Sequence, residues 1–393
     1  MSAGLIGRLL APIQSSTLGY QIGLIGFARL SNMVRLARYA RHVHPRYAPR
    51  LLLIGATGLI SLPWRAWETM RWGRRIAATP IAGPPIFIVG HWRSGTTHLH
   101  NLMSQDRTLG FLTMYQAMVP TCSLAGGAWL KSLLGRIMPL KRPMDDMIWP
   151  MDAPQEEEIP LAKMTPYGFY LQAMFPRHAH DLFRRTVLLE GAGPEVEAEL
   201  TRHYIRLLKI ATLHAGGRRL VLKNPVNTAR IRLLLALFPD AKFIHIHRNP
   251  FDVFVSTLHM YGRVFGMTTL QTIRSDNVAP GILDLYADMM TRYLAERALI
   301  PPGNLVEVRF EDLERQPLAE LKRIYDELGL AGFAAAEPAF ADYIAAQKSY
   351  QKNKLVLAPD DRARILEHWG FAFEALGYAT EEAVEREPAL SRS

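Results

Sequence analysis

The chain has 393 residues, 49% of them hydrophobic and 21% charged, which is an ordinary balance for a globular protein with a large buried core. Its single cysteine, Cys122, excludes an intramolecular disulfide and a cysteine-based zinc cluster, and therefore favours a reducing, cytoplasmic compartment. The formal net charge of +10 arises within residues 1–75, where eleven arginines accompany one acid, Glu68. Because residues 76–393 are formally neutral, bulk charge does not support nucleic-acid binding by the body of the protein.

Residues 1–80 are predicted to form a basic, amphipathic helical arm. In the segment FARLSNMVRLARYARHV, which begins at Phe27, apolar residues recur at helical spacing while the arginines fall largely on other faces. The best uncharged apolar run, residues 51–64, is too short to cross a bilayer and is interrupted by glycine and proline. We expect an interfacial segment, with Trp64, Trp67 and Trp72 at the level of lipid headgroups.

Three interpretations of this arm stay open. An arginine near an anionic membrane surface adds roughly 1 kcal/mol of attraction, so the arm could attach peripherally to the cytoplasmic face of a membrane. An ordinary helical subdomain packed on the core fits the same pattern. An arginine-rich, acid-poor N-terminus is also typical of a transit peptide.

The first strand is predicted at PIFIVG, and a glycine-containing loop leads from it into a helix. Gly90 and Gly95 have the spacing of a P-loop, G-x-x-x-x-G-K-[ST], but Thr96 stands in place of the lysine. Amides at the helix N-terminus and a forked guanidinium favour an anion, and the missing lysine disfavours a nucleoside triphosphate with magnesium. The predicted anion site consists of Arg93, Ser94, Gly95, Thr96 and Thr97.

Residues 106–217 are predicted to be mainly helical and loop-like, and we interpret them as an insertion that faces the substrate. The stretch DAPQEEEIPL within it holds three adjacent carboxylates beside apolar residues. Crowding of like charges raises the pKa of one carboxyl toward the range of a general base, although an acidic helix start is also stabilised by the helix dipole. The sequence does not distinguish among the three candidate bases, which are Glu156, Glu157 and Glu158.

Further strands and helices alternate in the second half of the chain. RRLVLKN, AKFIHIHR and NLVEVRFEDL are predicted strands, and NTARIRLLLALFP, NPFDVFVSTLHMYG and PLAELKRIYDELGL are predicted helices, with Asn249 as an N-cap. This order predicts an α/β, three-layer P-loop-like fold with a mostly parallel central sheet flanked by helices, spanning residues 81–393. Ligands are then expected at the carboxyl ends of the strands.

Two cations lie at predicted strand ends. Lys223 ends the second strand, and Arg248 ends the third, eight residues before Ser256. Helical spacing puts Ser256 on the same face as Asn249, within reach of that strand end. Structural roles stay open for all three residues. Lys223 could cap the strand, Arg248 could form an exposed ion pair, and Ser256 could bond to the backbone of its own helix.

IVGHWRSGTTHLHNLM, taken with AKFIHIHRNPFDVFVS, resembles the paired signature of sulfotransferases that use 3′-phosphoadenosine 5′-phosphosulfate (PAPS), in the bacterial and Golgi-type branch. In that family the R/K-S-G-T-T loop binds the 5′-phosphosulfate, and the arginine and serine that correspond to Arg248 and Ser256 bind the 3′-phosphate. The resemblance covers roughly residues 85–330. It implies an enzyme (EC 2.8.2.-) that moves a sulfuryl group from PAPS to a hydroxyl acceptor by in-line displacement, without a metal. The apolar arm favours a lipid-like acceptor.

The resemblance also implies catalytic roles. Lys223 corresponds to the lysine of a K-x-P-x-H pattern and would bind the bridging oxygen or a sulfonate oxygen, but Asn227 replaces the histidine and is not a base. The three glutamates resemble an acidic P-x-E-[DE]-E segment of a bacterial branch, so the base is expected there. His91 is a weaker candidate for a contact with the sulfonate.

Two other functions share parts of this sequence pattern. A P-loop kinase-like phosphotransferase is disfavoured by Thr96 and by the lack of a strand that ends in a magnesium-binding aspartate. A nucleotide-binding membrane module without catalysis stays open because the usual base positions are vacant. His245 and His247 share one strand face, but the sequence offers no nearby acid to complete a metal site, so buried histidines are expected.

Overall fold

The structure is a computed structural model, and it describes residues 17–35, 43–138, 150–272, 277–347 and 357–380. Within these residues five parallel strands form one sheet in the order β2-β3-β1-β4-β5. The strands are β1 (Ile86–Val89), β2 (Leu109–Gly110), β3 (Arg219–Lys223), β4 (Lys242–His247) and β5 (Leu305–Arg309). The predicted parallel sheet is therefore confirmed.

The described α-helices surround this sheet. They are α1 (Thr17–Ile25), α2 (Leu30–Arg35), α3 (Ala48–Ile60), α4 (Leu62–Ala78), α5 (Thr96–Met103), α6 (Met114–Met118), α7 (Ser123–Ile137), α8 (Glu158–Met164), α9 (Ala179–Thr186), α10 (Pro194–His214), α11 (Ile231–Leu237), α12 (Pro250–Thr268), α13 (Val278–Glu296), α14 (Phe310–Arg315), α15 (Pro317–Glu327), α16 (Phe333–Gln347) and α17 (Pro359–Leu376). Short 3₁₀ helices occur at Pro45–Tyr47, Phe169–Ala173, Pro176–His178, Pro225–Ala229 and Arg297–Leu299.

The two faces of the sheet are both covered, as the apolar composition of the strands requires. Side chains alternate along a strand, so Phe87 and Val89 of β1 enter one core cluster while Ile86 and Ile88 enter another. Helices α10, α12, α13 and α17 contribute to the first cluster, and α5, α15 and α16 to the second. This is the predicted three-layer arrangement, with all of β1 buried.

Local differences from the predicted elements have physical reasons. Residues 106–217 are mostly helical, yet Leu109 and Gly110 add an edge strand beside β3. The predicted helix NTARIRLLLALFP is divided into a 3₁₀ turn and α11 at Arg230, whose guanidinium turns inward to Glu158. Asn249 caps α12 as expected, because its side chain accepts from the amide of Phe251 at 3.0 Å.

The N-terminal helices contact the body of the protein through one side. Ile25, Ala28, Tyr47 and Ile54 are buried in a cluster that also contains Trp92. The predicted amphipathic helix after Phe27 is described only as α2, because residues 36–42 lie outside the described residues. None of the described helices combines the length and apolar character that crossing a membrane requires.

Candidate active site

The loop between β1 and α5 lies against β4. Gly90 has φ of +142°, and a Cβ there would lie 2.1 Å from the carbonyl oxygen of Ile246. Gly95 has φ of +97°, and a Cβ there would lie 2.3 Å from the ring of Phe310. Both positions therefore require glycine, and the sequence spacing of the loop reflects these two close approaches.

Arg93 joins the two halves of the predicted site. Its backbone adopts the left-handed conformation, with φ of +69°, and its Nε donates to the hydroxyl of Ser256 at 2.8 Å. The two residues are 163 positions apart in the chain. The loop after β1 and the helix after β4 thus face the same crevice, at the carboxyl ends of neighbouring strands.

Ser94 differs from the expectation for this loop. Its amide donates to the carbonyl of His91 at 3.2 Å, and its hydroxyl donates to the carbonyls of His91 and Ile246 at 2.7 and 3.0 Å. With amide and hydroxyl both engaged, Ser94 braces the loop and does not present a donor to a ligand. Gly95, Thr96 and Thr97 retain the position expected for anion-binding amides, at the N-terminus of α5.

Arg248 lies at the rim of the same crevice. Its Nη2 and Nε contact one carboxylate oxygen of Asp252, at 2.8 and 3.2 Å, and its guanidinium lies 4.9 Å from the centre of the Phe310 ring. Asp252 is largely exposed, so this pair is open to solvent. An exposed partner of this kind can be exchanged for a ligand phosphate at low cost.

Lys223 reaches the crevice from the end of β3. Its side chain is only 2% exposed, and its ammonium group forms an ion pair with Glu156 and donates to the hydroxyl of Thr97 at 3.3 Å. Three predicted residues, from the loop, the insertion and β3, are therefore in contact. A buried ammonium that contacts the loop is suited to stabilising negative charge on a group held there.

Glu158 is held in a purely structural network. Its Oε2 accepts from Arg230 Nη1 and from Asn224 Nδ2, each at 3.0 Å, and its Oε1 accepts from the amide of Phe169 at 2.5 Å. The carboxylate and the guanidinium are both fully buried. The hydrogen bonds named for Glu158 therefore all come from donors in the protein interior.

Glu157 is also buried, between β3 and the turn that follows it. It accepts from the amide of Lys223 at 3.0 Å and from Asn227 Nδ2 at 3.3 Å, and Asn227 also donates to the hydroxyl of Tyr204. Burial raises the pKa of Glu157 to about 8, although the charge of Lys223 opposes this shift. Asn227, which replaces the histidine of the family pattern, thus donates a hydrogen bond to this carboxyl.

Glu156 has a different environment from its two neighbours. Its side chain is 13% exposed, and it contacts both the ammonium group of Lys223 and the hydroxyl of Tyr170. Tyr170 in turn accepts from the indole Nε1 of Trp92 at 2.7 Å. Burial, followed by the charge of Glu156, raises the pKa of Tyr170, so its hydroxyl stays protonated and donates to the carboxylate.

Tyr170 and Trp92 were missed by the sequence reasoning. Trp92 lies beside Arg93 within the quoted loop, so its position offered a signal that was not used. Tyr170 lies fourteen residues after Glu156, in a 3₁₀ turn, and no spacing rule connects the two. Only the folded arrangement of the insertion brings them together.

The histidines of the sheet and loop are buried, and burial lowers the pKa of His91, His245 and His247. His91 packs edge-on against Trp92 and Tyr286, and burial lowers its pKa to about 4. His245 stacks on Tyr293, and Glu307 of β5 lies 3.4 Å from its Nδ1, an acid that the sequence order did not reveal. In the described part of the chain no group of three or more histidine, cysteine or acidic residues could hold a metal ion.

Comparison with known proteins identifies the family. The Sulfotransferase family profile matches residues 84–334, and the chain is 33% identical over 326 residues to the omega-hydroxy-beta-dihydromenaquinone-9 sulfotransferase Stf3 of Mycobacterium bovis and of Mycobacterium tuberculosis. The alignment covers 82% of this chain and 83% of each relative. This chain belongs to the sulfotransferase family. It is a sulfotransferase (EC 2.8.2.-), and the predicted family is confirmed.

Solved structures give the same fold for this sulfotransferase. Sulfotransferase STF9 from Mycobacterium avium matches with a TM-score of 0.69 at 18% identity, covering 96% of this chain and 97% of that one. Sulfotransferase STF1 from Mycobacterium tuberculosis H37Rv matches with a TM-score of 0.62 at 18% identity, covering 87% and 93%. The family implies PAPS as the sulfuryl donor.

Proposed function

We propose that this sulfotransferase binds PAPS in the crevice at the carboxyl ends of β1 and β4. Arg93 and the amides of Gly95, Thr96 and Thr97 would hold the 5′-phosphosulfate, and Arg248 with Ser256 would hold the 3′-phosphate. The observation that carries this assignment is the hydrogen bond between Arg93 and Ser256, which brings the two motifs to one crevice. Forked guanidinium groups and helix N-termini both favour such oxyanions.

In the proposed reaction, the oxygen of an acceptor alcohol forms a bond to sulfur as the bond between sulfur and the bridging oxygen breaks. The electron pair of the broken bond stays on the departing phosphate, where Lys223 stabilises the developing charge. The alcohol proton passes to Glu156, which is the base we favour among the three glutamates. Its partial exposure and its nearness, through Lys223, to Thr97 of the donor loop support this role, although the ammonium group lowers its basicity. The oxygens of Glu157 and Glu158 are occupied by interior donors.

Tyr170 would position this base. Its hydroxyl is fixed by Trp92 on one side and donates to Glu156 on the other, so a neutral donor holds the carboxylate on this side. A neutral donor fixes the orientation of a carboxylate while lowering its basicity less than a second positive charge would. Trp92 also connects the base to the backbone of the loop that binds the donor.

The acceptor we propose is a hydrophobic alcohol, such as a long-chain or isoprenoid alcohol. The named relative acts on a hydroxylated menaquinone derivative, which is an acceptor of this class. The insertion at residues 106–217 supplies Glu156 and Tyr170, which supports its assignment as the part of domain 81–393 that faces the acceptor.

We further propose that the N-terminal arm, residues 1–80, attaches the enzyme peripherally to an anionic membrane surface. Its inner side packs on the body, while large apolar side chains on α3 and α4 are exposed to solvent. Exposed apolar patches beside basic residues are typical of interfacial helices. The exposed side chains are Leu52, Leu59, Ile60, Leu62, Trp64, Trp67 and Met70.

Ligand-dependent melting tests the donor assignment. A ligand present at a hundredfold its dissociation constant stabilises a protein by about 2.7 kcal/mol, so 3′,5′-adenosine bisphosphate is expected to raise the melting temperature. ATP with magnesium is expected to leave it unchanged. A rise with ATP and magnesium alone would instead favour phosphoryl transfer. Binding of the bisphosphate without sulfuryl transfer to any of a panel of alcohols would favour a non-catalytic module.

A further inference from the structure

A cavity of about 630 Å³ lies away from the donor crevice, where the arm meets the body. Three arginines line it: Arg29 from the turn between α1 and α2, Arg65 from α4, and Arg206 from α10. None of the residues assigned to sulfuryl transfer lines it. The cavity is therefore a second, separate cluster of cations.

Within the described residues, no ion pair compensates these three arginines. Two acids lie near enough to interact with these arginines without forming an ion pair: Glu199 pairs with Arg35, and Glu68 accepts through Oε2 from the amides of Leu124 and Ala125. The Oε1 of Glu68 is buried without a hydrogen-bond partner among the described residues, and its charge interacts with Arg206. Burial and the neighbouring charges of Arg65 and Arg206 lower the pKa of Arg29. The cavity thus concentrates like charges that a bound anion would relieve.

Arg65 is fixed in position and yet incompletely satisfied. Its Nη2 donates to the carbonyls of Phe27 and Ala28, at 2.6 and 3.1 Å, while its Nε is buried without a partner. A buried guanidinium nitrogen without an acceptor costs free energy unless a ligand supplies one. Oxyanions with several oxygens match this need, and planar guanidinium groups bind them in a forked geometry.

The rim of the cavity is apolar. Leu62 and Met70 line it from the same face of α4 as Arg65, and they are 46% and 74% exposed. Trp67 is exposed on the neighbouring face of this helix. An anion site with an apolar rim on a helix of this kind matches the chemistry of a lipid, whose charged headgroup adjoins its acyl chains.

We propose that this cavity binds the phosphate group of an anionic membrane lipid, with Arg29, Arg65 and Arg206 on the phosphate oxygens and Leu62 and Met70 against the acyl chains. The inference rests on the proposed membrane contact of the arm, and it names the lipid group that the arm recognises. Diffuse attraction by the eleven arginines of residues 1–75 would respond only to surface potential, whereas the cavity recognises the anionic phosphate group itself.

The test uses the full-length enzyme and two kinds of phosphatidylcholine vesicle adjusted to equal surface potential. One contains phosphatidic acid, and the other contains oleate, whose anion is a carboxylate. We expect at least tenfold tighter binding to the phosphatidic acid vesicles, since each charge-assisted hydrogen bond contributes about a tenfold or larger factor. Arg206→Gln is expected to abolish this preference. Arg74→Gln, an equal charge change on the exposed side of α4, is expected to retain it.

A second variant guards against misfolding of the first. Thr69→Glu introduces a carboxylate at an exposed position that lines the cavity, and it is also expected to abolish the preference for phosphatidic acid. If Arg206→Gln and Arg74→Gln lose the preference for phosphatidic acid equally, or if the wild-type enzyme binds both vesicles equally, lipid binding in the cavity is overturned. The proposed membrane contact of the arm would remain. Failure to bind either vesicle would overturn the membrane contact itself.

Inorganic phosphate separates a lipid headgroup from a soluble ligand. We expect millimolar phosphate to change vesicle binding and melting temperature little, because it lacks the apolar part of the lipid. Stabilisation by phosphate that is lost in Arg206→Gln, without selectivity between vesicles, would assign the cavity to a free anion and overturn the lipid. Sulfuryl transfer by the wild-type enzyme to a water-soluble alcohol reports on the donor crevice independently of both results.

Discussion

Arginines in the donor crevice and arginines in the N-terminal arm have different surroundings. In the crevice, Arg93 donates to Ser256 and Arg248 pairs with Asp252, so each guanidinium has a polar partner and a defined direction. In the arm, Arg29 and Arg65 line a cavity and form no ion pair within the described residues, although Arg65 donates to two backbone carbonyls, and exposed apolar residues lie beside them. This difference agrees with the two proposals, in which the crevice binds one small ligand and the arm meets an extended, amphipathic surface.

Replacement of the proposed base should have the largest effect on catalysis, and it also leaves the buried ammonium group of Lys223 without its carboxylate partner. Glu156→Gln removes the proton acceptor, and general acid–base catalysis contributes about 10² to 10⁴ in rate, so kcat should fall by that factor. Single-turnover sulfuryl transfer measures it. Asp152→Asn, an exposed carboxylate nearby in the same segment, should retain kcat and serves as the control. Retention of full kcat by Glu156→Gln would exclude Glu156 as the base.

The same substitution at Glu158, two residues after Glu156, should lower the stability of the fold. Glu158→Gln leaves the buried guanidinium of Arg230 without its charge partner, which should lower the free energy of unfolding by about 3 to 5 kcal/mol. Denaturant titration checks this loss. Glu327→Gln, which breaks a half-exposed pair with Arg323, should cost less than about 1 kcal/mol. Equal losses in the two variants would mean that the interior network is not structural.

Glu157 should make the free energy of unfolding depend on pH. Its native pKa is raised from 4.5 to about 8, so the native state holds the proton more tightly than the unfolded state does. The resulting stabilisation is complete below about pH 4.5 and is lost as pH rises to about 8, with a slope of about 1.4 kcal/mol per pH unit. In Glu157→Gln this component should vanish from the pH dependence of unfolding. An unchanged difference between variant and wild type across the window would contradict it.

The smallest effect should come from the exposed surface of the arm. Trp67→Ser removes a half-exposed indole from the proposed membrane contact, which should weaken binding to anionic vesicles by about 1 to 2 kcal/mol. Flotation assays with vesicles measure the loss. Leu299→Ser removes an exposed apolar side chain outside the arm and should leave binding unchanged. Equal losses would show that the arm is not the surface that meets lipid.

The sequence was sufficient for features that depend on local pattern. Alternating strands and helices, the glycines of the loop and the cap at Asn249 follow from period, turn and capping rules, and the structure contains them. Contacts between distant segments were beyond those rules. The three adjacent glutamates are equivalent in sequence, and they differ only because β3, Arg230 and Tyr170 approach them from different sides. The inward turn of Ser94 likewise depends on a carbonyl of β4.

Calorimetric titration tests most directly whether the loop after β1 and the residues after β4 hold two ends of one donor. The wild-type enzyme should bind 3′,5′-adenosine bisphosphate more tightly than 5′-adenosine monophosphate. Arg248→Ala should weaken bisphosphate binding by about 10- to 150-fold, the equivalent of one charge-assisted hydrogen bond of about 1.5 to 3 kcal/mol, and leave monophosphate binding unchanged. Arg263→Ala, an exposed arginine on α12, should change neither. Unchanged bisphosphate affinity in Arg248→Ala, or equal weakening of both ligands, would contradict a single donor bound across the crevice.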